Sequence, residues 1–147
     1  MSHFLEHMLF LGSDKYPEDE YFSNLIKTTG GNYNAYTSQE ETNYFFAVPT
    51  SNFIKVIDVW SRFFIDPTLS EKNAAREVNA VTSEWRNGLS RPAKRMYNLL
   101  KALAREDHPF HKFSVGNIDT LIKIPENKGL DPYKALRDYY KYYKNNR

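Results

Sequence analysis

The stretch HFLEHMLFLG, residues 3–12, places two histidines and a glutamate directly beside a run of apolar residues. Apolar side chains on almost every side of this run predict a buried helix from His3 to Leu11. Gly12 is of the residue type that most often follows a helix end. Ionisable groups on a buried helix need partners, so the stretch raises the question of what they bind.

His3 and His7 are four positions apart, so a helix places them on one face within reach of one ion. Glu6 borders the same face. Neutral imidazoles are suitable zinc ligands, and a carboxylate beside the metal can take a proton from water. The order His-x-x-Glu-His is also the signature of the inverzincin peptidases. Because five-residue patterns arise by chance, a structural pair of histidines is the alternative interpretation.

A catalytic zinc site has three protein ligands and one open position, so a third ligand is needed. The segment REVNAVTSEW, residues 76–85, lies in a predicted long helix capped by Ser70. It places Glu77 and Glu84 two turns apart on one face, beside apolar residues. Either carboxylate is a candidate ligand, and a surface ion pair is the alternative. His108 and His111 lie in a predicted loop. For each of them, a role as a metal ligand and a position as a surface residue are both open interpretations.

The remaining sequence predicts an α+β fold with about six helices. One helix is expected from Pro17 to Thr29, and a hairpin follows in residues 33–48 with its turn at Ser38 to Glu41. Since a two-stranded ribbon is marginally stable alone, we expect the hairpin to belong to a larger mixed sheet whose other strands are absent from this chain. Short Pro- or Gly-containing turns separate the later helices.

Length, net charge and cysteine content limit the classes of function that are compatible with this chain. The chain has 147 residues, which is enough for one domain. Its 20 basic and 18 acidic residues give a net charge of +2, which favours neither a nucleic-acid partner nor a membrane surface. It has no cysteine, so disulfides and thiolate metal sites are excluded. No apolar run approaches the roughly 18 residues of a membrane-spanning helix.

Four blocks of the sequence together resemble the insulin-degrading-enzyme branch of the pitrilysin family of zinc metallopeptidases. The blocks are HFLEHMLFLGS (3–13), GGNYNAYTSQEETNYFF (30–46), REVNAVTSEW (76–85) and HPFHKFSVGN (108–117). Their order and spacing agree with the family from about residue 2 to residue 145, which makes the resemblance far more specific than the five-residue motif alone.

The resemblance implies roles for individual residues of the first and third blocks. His3, His7 and Glu84 correspond to the zinc ligands of the family. Glu6 corresponds to the glutamate that activates water as a general base, and Glu77 to a second glutamate that supports catalysis. The expected activity is therefore endopeptidase hydrolysis with Zn²⁺ as the cofactor.

The other two blocks have different implied roles. Asn34 and Ala35 correspond to an edge strand that pairs with the backbone of a peptide substrate, and Tyr36 to an aromatic position beside the cleaved bond. The block HPFHKFSVGN corresponds to a loop without a direct chemical role, which favours a structural role for His108 and His111.

The resemblance also implies that residues 1–147 are a truncated N-terminal catalytic domain, without its flanking sheet strands and its companion domains. We therefore expect the chain alone to be inactive or weakly active. Two alternatives stay open at this point. One is a non-catalytic structural fragment or family member that keeps the fold without peptidase activity. The other is a helical interaction module with coincidental histidines.

Overall fold

The computed structural model describes residues 1–145 as an α+β arrangement. Within this range there are seven α-helices and one hairpin: α1 (Ser2–Leu9), α2 (Tyr21–Thr28), β1 (Asn32–Thr37), β2 (Thr42–Ala47), α3 (Phe53–Ser61), α4 (Glu71–Leu89), α5 (Pro92–Leu103), α6 (Ile124–Asn127) and α7 (Pro132–Asn145). Short helical turns occur at Thr50–Asn52, Arg62–Phe64, Pro109–His111 and Asp119–Lys123. The predicted fold class is confirmed.

Helix α1 lies at the centre of the hydrophobic core. Its residues Phe4, Leu5, Met8 and Leu9 are all buried, and it packs against α4 and against the hairpin. Burial of each such side chain stabilises the fold by roughly 1.5–3 kcal/mol. The helix was predicted to extend to Leu11 but ends at Leu9, because its last turn tightens into i to i+3 hydrogen bonds.

The hairpin has the predicted turn. Strands β1 and β2 pair antiparallel, with Asn32 opposite Ala47 and Thr37 opposite Thr42. The Ser38 N–H donates to the Glu41 carbonyl at 2.8 Å and closes the connection. Within residues 1–145 the two strands form a sheet of their own, so neither strand has a second strand partner there. The larger mixed sheet therefore stays a prediction.

Helix α4 packs against α1 and has the predicted N-cap, since Ser70 Oγ accepts from the Asn73 N–H at 3.2 Å. Its buried residues, Ala74, Val78 and Val81, recur at helical spacing. The helix continues through Gly88 and breaks before Pro92, which begins α5. No helix in residues 1–145 has both the length and the apolar character needed to cross a membrane.

Besides the end of α1, two further predictions on helix positions are wrong. Helix α2 begins at Tyr21 rather than Pro17, because Asp19 in the preceding segment accepts hydrogen bonds from two α4 side chains, Asn73 at 2.6 Å and Arg76 at 3.2 Å. These contacts hold the segment outside a helix. One of the Pro-containing turns expected between the later helices includes the short helix α6, with a proline in its first turn.

Candidate metal centre

Helix α1 presents two imidazoles from one face. His3 and His7 are one turn apart, and their ring centroids lie 4.8 Å from each other in an edge-on arrangement. Both residues are partly exposed, whereas the apolar side chains between and beside them are buried. Packing of the buried apolar side chains therefore fixes the position of α1. The imidazole rings of His3 and His7 lie on its partly exposed side, at the edge of the core.

Helix α4 brings the two predicted glutamates to the same place. Glu84 Oε2 lies 3.5 Å from His3 Nε2 and 3.5 Å from His7 Nε2. Glu77 Oε1 lies 2.8 Å from the other ring nitrogen of His7, Nδ1. The structure thus assembles His3, His7 and Glu84 into one group of potential metal ligands, with Glu77 behind it.

The hydrogen bonds of the two rings determine which nitrogen is available. His3 Nδ1 is 2.7 Å from the carbonyl oxygen of Val115. A carbonyl oxygen only accepts hydrogen bonds, so the His3 proton is on Nδ1 and the Nε2 lone pair is free. The carboxylate of Glu77 places the His7 proton on Nδ1 in the same way. When both rings are neutral, the Nε2 lone pairs of His3 and His7 therefore face each other.

These three atoms fit a tetrahedral cation. The Nε2 atoms of His3 and His7 are 3.3 Å apart, and each is 3.5 Å from Glu84 Oε2. Zinc bonds of about 2.0–2.2 Å give tetrahedral edges of about 3.3–3.6 Å, which match all three separations. Three electron-pair donors at these distances repel one another unless a cation lies between them. The donor set therefore fits zinc.

The charges around His7 also favour a cation. Burial lowers the pKa of His7, but the hydrogen bond to Glu77 and the negative charges of Glu84, Glu77 and Glu6 raise it by more. The pKa of the ring consequently lies above its ordinary value. The same carboxylates that stabilise a protonated imidazole would stabilise a divalent ion at this position.

Glu6 lies beside the ligand group and faces the same cavity, which has a volume of about 470 Å³. It is only 7% exposed, and its Oε2 accepts a short hydrogen bond from the hydroxyl of Thr37. Thr37 Oγ1 is also 3.2 Å from Thr42 Oγ1 across the hairpin. The sequence did not single out Thr37, although it is the last residue of β1 and shares a strand face with Ala35.

The predicted substrate-binding residues line this cavity as well. The Ala35 N–H donates to the side-chain oxygen of Asn34 at 2.9 Å, so it points away from β2 toward the outer edge of β1. The Tyr36 hydroxyl donates to Glu41 at 2.9 Å, and this hydrogen bond raises the pKa of Tyr36. The candidate metal ligands and an open strand edge therefore border one cavity.

The other histidines lie apart from the ligand group. His108 Nδ1 accepts from the Phe110 N–H at 3.1 Å at the start of a helical turn. His111 Nδ1 is 3.1 Å from the carbonyl oxygen of Ala104. Within residues 1–145, neither belongs to a group of three possible metal ligands.

Comparisons with known proteins identify the family of the chain. Residues 1–107 match the family described as Insulinase (Peptidase family M16). Insulin-degrading enzyme-like 2 of Arabidopsis thaliana is 49% identical over 140 residues, which are 95% of this chain and 14% of the relative. Human insulin-degrading enzyme is 40% identical over 147 residues, which are 99% of this chain and 14% of the relative.

A solved structure has the same fold. The crystal structure of pitrilysin superposes with a TM-score of 0.87 at 33% sequence identity, over 95% of this chain and 14% of that protein. The chain thus spans about one seventh of the length of the proteins that it matches. Because the family match includes α1, the hairpin and α4, this chain belongs to the insulinase family, peptidase family M16.

Proposed function

We propose that this chain is the metal-binding part of a zinc endopeptidase, equivalent to a portion of its N-terminal catalytic domain. The observation that carries the proposal is the set of three separations among His3 Nε2, His7 Nε2 and Glu84 Oε2, which fit a tetrahedral cation. In this proposal His3, His7 and Glu84 are the ligands. When bound, zinc supplies Lewis acidity, which makes water more acidic and polarises a peptide carbonyl.

Glu6 is the general base of the proposed reaction. It takes a proton from water as the water oxygen forms a bond to the carbonyl carbon of the peptide. It then delivers that proton to the amide nitrogen as the carbon–nitrogen bond breaks. The hydroxyl of Thr37 holds one carboxylate oxygen of Glu6, which leaves the other oxygen for this transfer.

Glu77 supports the site through His7. Its carboxylate accepts a hydrogen bond from the Nδ1–H of His7. The Nε2 atom therefore keeps its lone pair and its direction. The negative charge of Glu77 beside the ring also makes the imidazole of His7 a stronger electron-pair donor. A substitution at Glu77 would therefore act on metal binding before it acts on proton transfer.

Strand β1 is the proposed platform for the substrate. A peptide in extended conformation would add to its outer edge, where the N–H of Ala35 is directed. Its backbone would displace the Asn34 side chain from that N–H. Tyr36 would contact the side chain next to the cleaved bond. Substrates that bind in this way are peptides or peptide segments in extended conformation, because the edge of β1 pairs with an extended backbone.

The rest of the substrate site is proposed to come from companion domains of a longer protein. The relatives that this chain matches are about seven times its length. A cavity with an open side and a single substrate strand provides few binding groups by itself. We therefore expect the 147-residue chain to bind zinc and to cleave peptides weakly or not at all.

The test is zinc stoichiometry by inductively coupled plasma mass spectrometry, followed by cleavage of a fluorogenic peptide. We expect a zinc-to-chain ratio near one, lost in His7→Ala and retained in Glu6→Gln. Any cleavage should disappear in Glu6→Gln. Equal zinc content in His7→Ala and the unchanged chain would refute the proposed ligands, and cleavage that persists in Glu6→Gln would refute the proposed base.

A further inference from the structure

The orientation of His3 depends on a loop far along the chain. Its Nδ1–H donates to the carbonyl oxygen of Val115 at 2.7 Å. This hydrogen bond keeps Nε2 unprotonated and directs it toward His7. If the carbonyl moved away, the ring could rotate or carry its proton on Nε2, and the ligand group would lose one of its three donors.

The loop around Val115 is anchored on its C-terminal side by α4. The Ile118 N–H donates to Thr82 Oγ1 at 2.9 Å, and Thr82 is itself buried. Gly116 adopts a positive φ of 91°, and a side chain there would approach Leu121 Cδ1 to 3.1 Å. The backbone that follows Val115 is therefore closely fitted.

The anchor on the N-terminal side is a buried lysine. Lys101 Nζ donates to Ser114 Oγ at 2.9 Å, directly before Val115. Lys101 is 3% exposed, although its neighbours on α5 include Leu103, which is 75% exposed. The ammonium group also lies 5.5 Å from the ring centre of Tyr97 and 5.7 Å from that of Phe110.

Burial of this lysine is unusual and costly. Lysine is almost never fully buried unless it is paired, because its ammonium group loses hydration. An apolar residue at this position could pack against the same two rings without that cost. An apolar residue could reproduce neither the attraction of the ammonium group to the rings nor the hydrogen bond to Ser114, and of the two only the hydrogen bond reaches the residue beside Val115.

We propose that Lys101 is a positioning residue for the metal centre. Through Ser114 it holds the Val115 carbonyl where His3 needs it, and so it sets the tautomer of His3. The consequence for zinc rests on the proposed function, because it requires His3 to be a ligand. The consequence for the His3 tautomer concerns hydrogen bonds of the zinc-free chain alone.

The test uses four single variants of the full 147-residue chain and the double variant Lys101→Met/Ser114→Ala. Lys101→Met removes the donor, Ser114→Ala removes the acceptor, and Ser114→Thr keeps a hydroxyl at the exposed position. Val56→Ala, in the core on α3, is a control for loss of stability at a site without polar contact to His3. Long-range ¹H–¹⁵N correlation spectra of the zinc-free proteins report which nitrogen of each imidazole is protonated.

We expect His3 to be protonated at Nδ1 in the unchanged chain, in Ser114→Thr and in Val56→Ala. In Lys101→Met and in Ser114→Ala we expect a mixture of tautomers at His3 and no change at His7. Zinc affinity should fall about 10-fold in those two variants and stay unchanged in the other two. The double variant should be no worse than either single one.

Two results separate this proposal from the proposed function. If His3 keeps one tautomer in both Lys101→Met and Ser114→Ala, the positioning role of Lys101 is refuted whatever happens to zinc. If the unchanged chain binds no zinc, the proposed ligands fail, and the tautomer spectra still decide the role of Lys101. Should Lys101→Met not fold, Ser114→Ala decides the question.

Discussion

His7 and Glu77 are joined by a hydrogen bond of 2.8 Å that connects α1 with α4. The proton of this bond lies on His7 Nδ1, so the carboxylate of Glu77 determines both the direction and the basicity of the opposite nitrogen. The hydrogen bond joins Glu77 to one member of the ligand group, and the side chain of each partner is 16% exposed. Screening by water is therefore limited.

Glu77→Gln tests the charge in this pair. The amide oxygen of glutamine can still accept a hydrogen bond from His7 Nδ1–H, but the negative charge is lost. We expect zinc affinity to fall about 10-fold, measured by competition with a chelating dye. Glu71→Gln is the matched control, because Glu71 lies on the same helix in an exposed ion pair with Arg137. Equal affinity in both variants would contradict the role assigned to Glu77.

Zinc should stabilise the fold. A ligand that binds the folded chain at 100 times its Kd adds about 2.7 kcal/mol to the free energy of unfolding. We expect a zinc-dependent rise in Tm, measured by circular dichroism, that is absent in His7→Ala. His108→Ala should keep the rise, since His108 lies outside the ligand group. A rise of equal size in His7→Ala would place the bound zinc elsewhere.

Thr37→Val should destabilise the chain by removing the hydroxyl that donates to Glu6. Glu6 is nearly buried, and a buried acceptor without its donor costs about 1–3 kcal/mol. Thr37→Ser keeps the hydroxyl and should cost less. Urea denaturation followed by tryptophan fluorescence gives both free energies of unfolding. If serine and valine are equally destabilising, the hydroxyl does not support Glu6.

The start of α7 provides a pH-dependent prediction. Asp131 accepts the N–H groups of Lys134 and Tyr133 at 3.0 and 2.8 Å, and these hydrogen bonds hold its pKa below the ordinary value. A carboxylate with a lowered pKa stabilises the fold above its unfolded pKa, and this stabilisation is lost as the pH falls through its folded pKa. Asp131→Ala should therefore lower Tm at neutral pH.

The matched variant for this prediction is Asp131→Asn, which can still cap the helix but does not titrate. The difference in Tm between the unchanged chain and Asp131→Ala should shrink on acidification to about pH 3. The difference between Asp131→Asn and Asp131→Ala should not depend on pH. Parallel curves for all three proteins would contradict the assignment of the cap to Asp131.

Much of the fold and of the site could be predicted because helical spacing fixes geometry over short distances. The four-residue interval between His3 and His7 determines their common face, and the seven-residue interval does the same for Glu77 and Glu84. The alternation around Tyr33 marked the hairpin in the same way. These predictions needed no knowledge of how the elements pack.

The parts that could not be predicted depend on contacts between distant segments. Nothing local to Asp19 indicates that α4 side chains hold it out of a helix. The Val115 carbonyl is a backbone group, so it leaves no residue type to recognise. Lys101 is the single charged residue within NLLKAL, residues 98–103, which is a weak indication that it is buried. Charged residues on helices are usually exposed, so the sequence alone does not predict this burial.

The grouping of His3 and His7 with Glu84 joins the two ends of a long chain segment. In a protein without cysteine, an ion held by all three would act as a cross-link between α1 and α4 and would restrict their motion in the folded chain. Release of the ion would restore that freedom first at α1, which is the first helix of the chain and carries two of the three ligands. We therefore expect demetallation to increase hydrogen exchange at the amides of α1 before those of α3.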